Sequence, residues 1–96
     1  MTAYVIFHGE VFDAEGYEEY KAAVAPNIAA AGGRYVVRGG NPVVLEGEPP
    51  TTRLVILEFP SRQVAVDWYH SAEYTEIRKL RESSARATIL VVDGLD

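Results

Sequence analysis

Apolar residues recur along this chain with two periods, and the two periods alternate. From Ala3 to Val11 the run is almost continuously apolar and rich in β-branched and aromatic residues, which predicts a strand. Asp13 is then a suitable N-cap for a helix, and Glu15 and Glu18 suit the positive end of its dipole. Tyr17, Tyr20, Val24, Ile28 and Ala31 follow at helical spacing and predict its buried stripe. Pro26 removes one backbone donor within that stretch and is expected to kink or restart the helix. Gly32-Gly33 supply a left-handed stop, and a second strand ends in Arg38-Gly39-Gly40. The order then repeats, with a strand over Arg53–Phe59, a helix start at Pro60-Ser61, a helical stretch to about Ser84 and a last strand from Ala87 to Val92. A β-α-β-β-α-β order predicts an α+β, ferredoxin-like sandwich with an antiparallel sheet, as one domain over residues 1–96.

Within that frame, Gly39-Gly40-Asn41-Pro42 reads as a turn, Val43-Val44-Leu45 as a short strand continuation, and Glu46 to Thr52 as a Pro-rich loop. The second helical stretch reads as broken. Ser61 caps a first piece with Ala65, Trp68 and Tyr69 inward, and Ser71 caps a second piece. Alternation along the first strand puts Tyr4, Ile6 and His8 on one face and Val5, Phe7 and Val11 on the other. The third strand divides into Val55, Leu57, Phe59 and Leu54, Ile56, and the last into Ile89, Val91 and Leu90, Val92. Both faces are apolar, whereas helices can cover only one. The other is expected to be covered by a second copy of the chain, giving a symmetric homodimer.

The net charge of −5 and the absence of any basic cluster exclude a polyanion such as nucleic acid as partner. With no cysteine there is no disulfide framework, no thiolate metal site and no cysteine nucleophile. No apolar run approaches membrane length and no leader pattern opens the chain, so a cytoplasmic protein without a membrane partner is expected.

On the second helical piece Tyr74, Ile77, Arg81 and Ser84 share one stripe, so Arg81 points where a core residue should be. A buried guanidinium must be paired or hydrogen-bonded. Glu58, ending the third strand on the Leu54/Ile56 face, is the obvious acid, and Arg38 ends the second strand beside glycines. One reading is a structural salt bridge from Glu58 to Arg81 or Arg38. The other is a ligand pocket between sheet and helices formed by Arg38, Glu58, Tyr69, Tyr74 and Arg81, in which an arginine meets an anionic group. Glu58 and His8 are then the candidate catalytic groups. Six tyrosines and one tryptophan are many aromatics for this length, and offer either a core or a wall around a planar ligand. Two histidines among scattered carboxylates match no metal-ligand spacing, and the glycine pairs lack the spacing of a phosphate loop. No metal and no cofactor are expected. No serine sits in a nucleophile elbow.

Several segments together resemble one family. They are Gly32-Gly33-Arg34-Tyr35-Val36-Val37-Arg38-Gly39-Gly40, Leu45-Glu46-Gly47, Glu58-Phe59-Pro60-Ser61, Ala65 through Tyr69, Tyr74, Arg81, and Val92-Asp93-Gly94. The pattern is similar to domain-of-unknown-function family 1330, of the dimeric α+β barrel superfamily, over nearly the whole chain. The resemblance implies two ferredoxin-like sheets packed face to face, and it falls on Arg38, Glu58, Tyr74 and Arg81. The superfamily includes cofactor-free monooxygenases, isomerase-like proteins, haem enzymes and ligand-sensing domains, and no haem-ligand motif is present here. Three functions remain in play: binding of a small anionic or aromatic metabolite, cofactor-free enzyme chemistry of monooxygenase or isomerase type, and a purely structural or interaction dimer.

Overall fold

The computed structural model describes residues 1–48 and 53–96. Its elements are β1 (Ala3–Val11), α1 (Ala14–Ala30), β2 (Arg34–Gly39), β3 (Arg53–Phe59), α2 (Arg62–His70), α3 (Ala72–Glu82) and β4 (Ala85–Asp93). The strands form one antiparallel sheet in the order β2-β3-β1-β4, so the two strands of each β-α-β unit are separated by a strand of the other unit. This is the ferredoxin-like arrangement. Among the described residues, no helix is long and apolar enough to cross a membrane.

Local chemistry sets the helix ends. Asp13 Oδ1 accepts from the Gly16 N–H at 3.2 Å, and Ser61 Oγ accepts from the Val64 N–H at 3.2 Å. Ser71, in extended conformation, divides α2 from α3. Its hydroxyl donates to the Trp68 carbonyl at 2.7 Å and accepts from the Tyr74 N–H at 3.1 Å, serving both helix ends. Of the kink or restart expected at Pro26, the restart does not occur, and one helix spans Ala14 to Ala30 with the proline inside it. Val24 and Ile28, on either side of the proline, are both buried, so packing holds the helix where one backbone bond is missing. It stops at Gly32, whose φ is +90°, with the Gly33 N–H donating to the Ile28 carbonyl at 2.9 Å.

Register separates the two faces of the sheet. Val5 lies between Leu57 and Val91, and Ile6 between Ile56 and Leu90. Ala3, Val5, Phe7, Val55, Leu57 and Phe59 are buried beneath the helices with Tyr17, Tyr20, Val24, Ile28, Trp68 and Tyr74. The opposite face carries Tyr4, Ile6, His8, Leu54, Ile56 and Glu58 half-buried, with Leu90 and Val92 exposed. On the edge strand β2 a bulge intervenes: Tyr35 pairs with Leu57, Val37 pairs with Ile56, and Val36 is the extra residue. Arg38 therefore comes opposite the buried Val55, on the same side as Tyr35.

Gly39, the last residue of β2, and Gly40 and Asn41 beyond it all have positive φ, at 88°, 57° and 45°, and turn the chain away. Val43-Val44-Leu45 consequently does not continue the strand, contrary to its β-branched composition, and all three side chains are exposed. Of the Pro-rich loop expected over 46–52, residues 49–52 lie outside the described residues.

Candidate functional site

A cavity of about 30 Å³ lies between α1 and the covered face of the sheet. Helix α1 contributes Tyr17 and Tyr20, three residues apart and therefore on one face, with ring centroids 5.5 Å apart. The Tyr20 and Tyr74 hydroxyls hydrogen-bond at 2.9 Å across the α1–α3 junction. From β2, the Arg38 guanidinium lies 4.6 Å over the Tyr35 ring, an alignment produced by the Val36 bulge. Arg53, which opens β3, donates from Nε to the Tyr17 hydroxyl at 3.2 Å and lies 5.3 Å from the centre of that ring. Trp68 closes the far wall. Its ring is 4.2 Å from Tyr74 and 5.3 Å from Phe59, and its Nε1 donates to Asn27 Oδ1 at 2.7 Å.

The charge balance of this cavity is one-sided. Lys21, Arg38 and Arg53 line it, together with four tyrosines, and no Asp, Glu or His does. Lys21 is paired with Glu18 at 2.9 Å. Burial, then the neighbouring Tyr74 hydroxyl, pushes the Tyr20 phenol pKa far up, so it stays protonated. Burial also raises Tyr35, against the opposing pull of Arg38. Such phenols donate hydrogen bonds and do not accept protons. The apolar remainder of the wall lowers the local dielectric and strengthens any charge interaction inside.

A second cavity, about 180 Å³, runs beneath α2 along β4. Ala65, Trp68, Tyr69 and His70 come from the helix, and Ile89 and Val91 from the edge strand. Tyr69 stands edge-on to His70 at 5.2 Å, and the Arg78 guanidinium lies 4.9 Å over the Tyr69 ring. A third space of about 170 Å³ lies elsewhere, around Thr2, Arg34, Glu58 and Pro60.

The structure thus divides the residues expected to form one pocket. Arg38 and Tyr74 line the central cavity, and Tyr69 lines the α2–β4 cleft. Glu58 belongs to neither. It sits on the opposite face of the sheet, where Arg34 Nε donates to Glu58 Oε2 and the Tyr4 hydroxyl reaches Oε1 at 3.5 Å. The expected Glu58–Arg81 or Glu58–Arg38 bridge is therefore replaced by Arg34–Glu58, because strand parity places Glu58 beside Tyr4 and away from the helices. His8 lies on that same open face, between Leu54 and Thr88, and cannot serve the central cavity either. Arg81 is buried as its stripe requires, yet no carboxylate pairs with it among the described residues, and its Nε has no hydrogen-bond partner. Burial pulls its pKa down, and the Tyr74, Tyr20 and Tyr69 oxygens more than offset this, so the guanidinium remains a cation beside the phenols.

The sequence placed Tyr17 and Tyr20 on the buried stripe, as core or as a wall around a ligand, and gave no site role to Arg53 or Asn27. A usable signal was present in the polar content of the two sheet faces. His8 and Glu58 share the face of Tyr4 and Ile6, and the wholly apolar Val55/Leu57/Phe59 set is the one that meets the helices. The bulge that turns Arg38 inward left no comparable trace.

The family model for DUF1330, Domain of unknown function, matches residues 2–95 of this chain. No curated protein matches the sequence significantly. Among solved structures, a protein of unknown function from Rhodopseudomonas palustris is similar at a TM-score of 0.81 and 19% identity, covering 99% of this chain and 83% of that one. SnoaB, a cofactor-independent oxygenase from Streptomyces nogalater, is similar at a TM-score of 0.67 and 9% identity, covering 99% of this chain and 94% of that one. Rv0793 from Mycobacterium tuberculosis is similar at 0.60 and 17% identity, covering 100% and 97%. At these identities the likeness is one of fold.

Proposed function

The chain belongs to the DUF1330 family, and from that premise we propose that it binds a small anionic or aromatic metabolite, with an anionic group held by the cations of the central cavity. One observation carries this reading: three cations and four phenols face a small, largely apolar space that no carboxylate or imidazole lines. Guanidinium and phenol donors are the groups that recognise a carboxylate or phenolate. Arg38 is the best placed of the cations, since its exposed head sits at the rim and no carboxylate pairs with it among the described residues.

Catalysis is the second reading, and the fold shared with a cofactor-independent oxygenase favours it. The lining offers no proton acceptor, so a substrate would have to enter as its anion. The chain's contribution would then be to stabilise that charge with preorganised donors. Homodimerisation through the open sheet face is part of the same proposal, because Ile6, Ile56, Leu90 and Val92 form an apolar surface that the helices leave uncovered.

A thermal-shift series tests the binding reading. Small aryl carboxylates are expected to raise the melting temperature, with about 2.7 kcal/mol of stabilisation at a hundredfold excess over Kd. Arg38→Met is expected to abolish the shift, whereas Glu58→Gln, on the other face, leaves it intact. A series in which no anion shifts melting overturns the proposal. Oxygen uptake with a bound ligand present separates the catalytic reading from simple binding.

A further inference from the structure

The central cavity has room for one or two water molecules, or for a group of similar bulk such as a carboxylate, and not for a ring. The cleft between α2 and β4 has the opposite character. At about 180 Å³, and walled mainly by apolar side chains, it exceeds the roughly 150 Å³ of an apolar cavity that accepts benzene. The two spaces have three walls in common: Val5, Ile89 and Trp68. Val5 and Ile89 are held by the backbone ladders of β1 and β4 and cannot move independently. Trp68 projects from a helix, and its indole is held by packing against the Tyr74 and Phe59 rings and by the hydrogen bond from Nε1 to Asn27 Oδ1 at 2.7 Å.

We infer that the two cavities are one ligand site in two compartments, with Trp68 as a partition latched by Asn27. The cation-lined compartment takes the anionic group and the cleft takes a single aromatic ring. Tilting the indole away from Asn27 joins the two spaces. This rests on the proposed binding function and narrows it to monocyclic aryl carboxylates or ligands of the same shape and charge. Tyr69, with its edge toward His70, supplies the aromatic wall of the ring compartment.

Trp68 is the only tryptophan, so its emission reports the partition directly. In calorimetric and fluorescence titrations of the full chain, benzoate is expected to bind and to shift Trp68 emission. Acetate is expected to bind more weakly and leave that emission unchanged. Val91→Phe, which fills the cleft, should weaken benzoate at least about tenfold without changing acetate. Ala65→Leu fills the same cleft from the helix side and serves if Val91→Phe melts early. Asn27→Leu removes the latch and should tighten benzoate by about twofold to tenfold, the scale of one hydrogen bond. Benzoate binding that ignores both cleft-filling variants overturns the inference while the anion site stands. Binding of toluene in the cleft with no binding of acetate overturns it as well, because the compartments then act separately. If neither acetate nor benzoate binds, the proposed function falls and this inference falls with it.

Discussion

At the scale of single residues, the Tyr20–Tyr74 hydroxyl pair joins α1 to α3 beside the buried Arg81 guanidinium. Burial raises the Tyr20 pKa, so the folded state holds a proton that the unfolded chain releases near pH 10. The contribution of this phenol to stability is therefore complete below about pH 10. Above it the unfolded state binds fewer protons, and stability falls by about 1.4 kcal/mol per pH unit. Tyr20→Phe should cost about 1 kcal/mol at pH 7, from the lost hydrogen bond. It should also flatten the alkaline fall, so that the two proteins converge between pH 10 and 11. Urea unfolding at pH 7, 10 and 11 measures this, and parallel losses for both proteins would show that Tyr20 is not the titrating group.

Two glycines at the end of α1 illustrate how elements are joined. A Cβ on Gly33 would stand 2.7 Å from two carbons of the Phe59 ring and 2.9 Å from Ile28 Cγ2. Phe59 is fully buried and has nowhere to move. Gly33→Ala is thus expected to cost about 1–3 kcal/mol through overpacking of helix against sheet. At Gly32 a Cβ would meet nothing closer than 3.7 Å, but the φ of +90° is one that L-residues avoid. Gly32→Ala should cost about 1–2 kcal/mol through backbone strain alone. Denaturant unfolding measures both. The two mechanisms separate on a second change, since Phe59→Leu in the Gly33→Ala background relieves a clash and does nothing for a strained φ.

For the whole molecule, the uncovered face of the sheet is the dominant feature. Ile6 and Ile56 face each other across β1 and β3 on that side, beside the exposed Leu90 and Val92. If a second copy covers this surface, an interface on the order of 1,600 Å² or more is expected. Sedimentation equilibrium should then give twice the 10.6 kDa chain mass. Ile56→Lys places a charge at the centre of the face without touching the helix-side core, and should return the protein to a folded monomer. A wild-type chain that sediments at 10.6 kDa would sink the dimer.

What the amino-acid order determined by itself is the sequence of elements. Strand periods, the Asp13, Ser61 and Ser71 caps and the stop at Gly32 are encoded within a few neighbouring residues, so β1 and β3 were legible to their ends. The stripe carrying Tyr74 and Arg81 was legible for the same reason. Pro26 does not restart the helix because a local donor loss is outweighed by the burial of Val24 and Ile28, which depends on the sheet beneath. The site was only half legible. Parity identifies which residues share a face, and the polar His8 and Glu58 mark the face that the helices leave open, but the partner of Glu58 is decided only when β2 pairs beside β3. That pairing sends Glu58 to Arg34 and away from Arg81. Arg38 reaches the phenols because a one-residue bulge on an edge strand reverses its direction, and such a bulge is stabilised by pairing with β3, a partner distant in sequence.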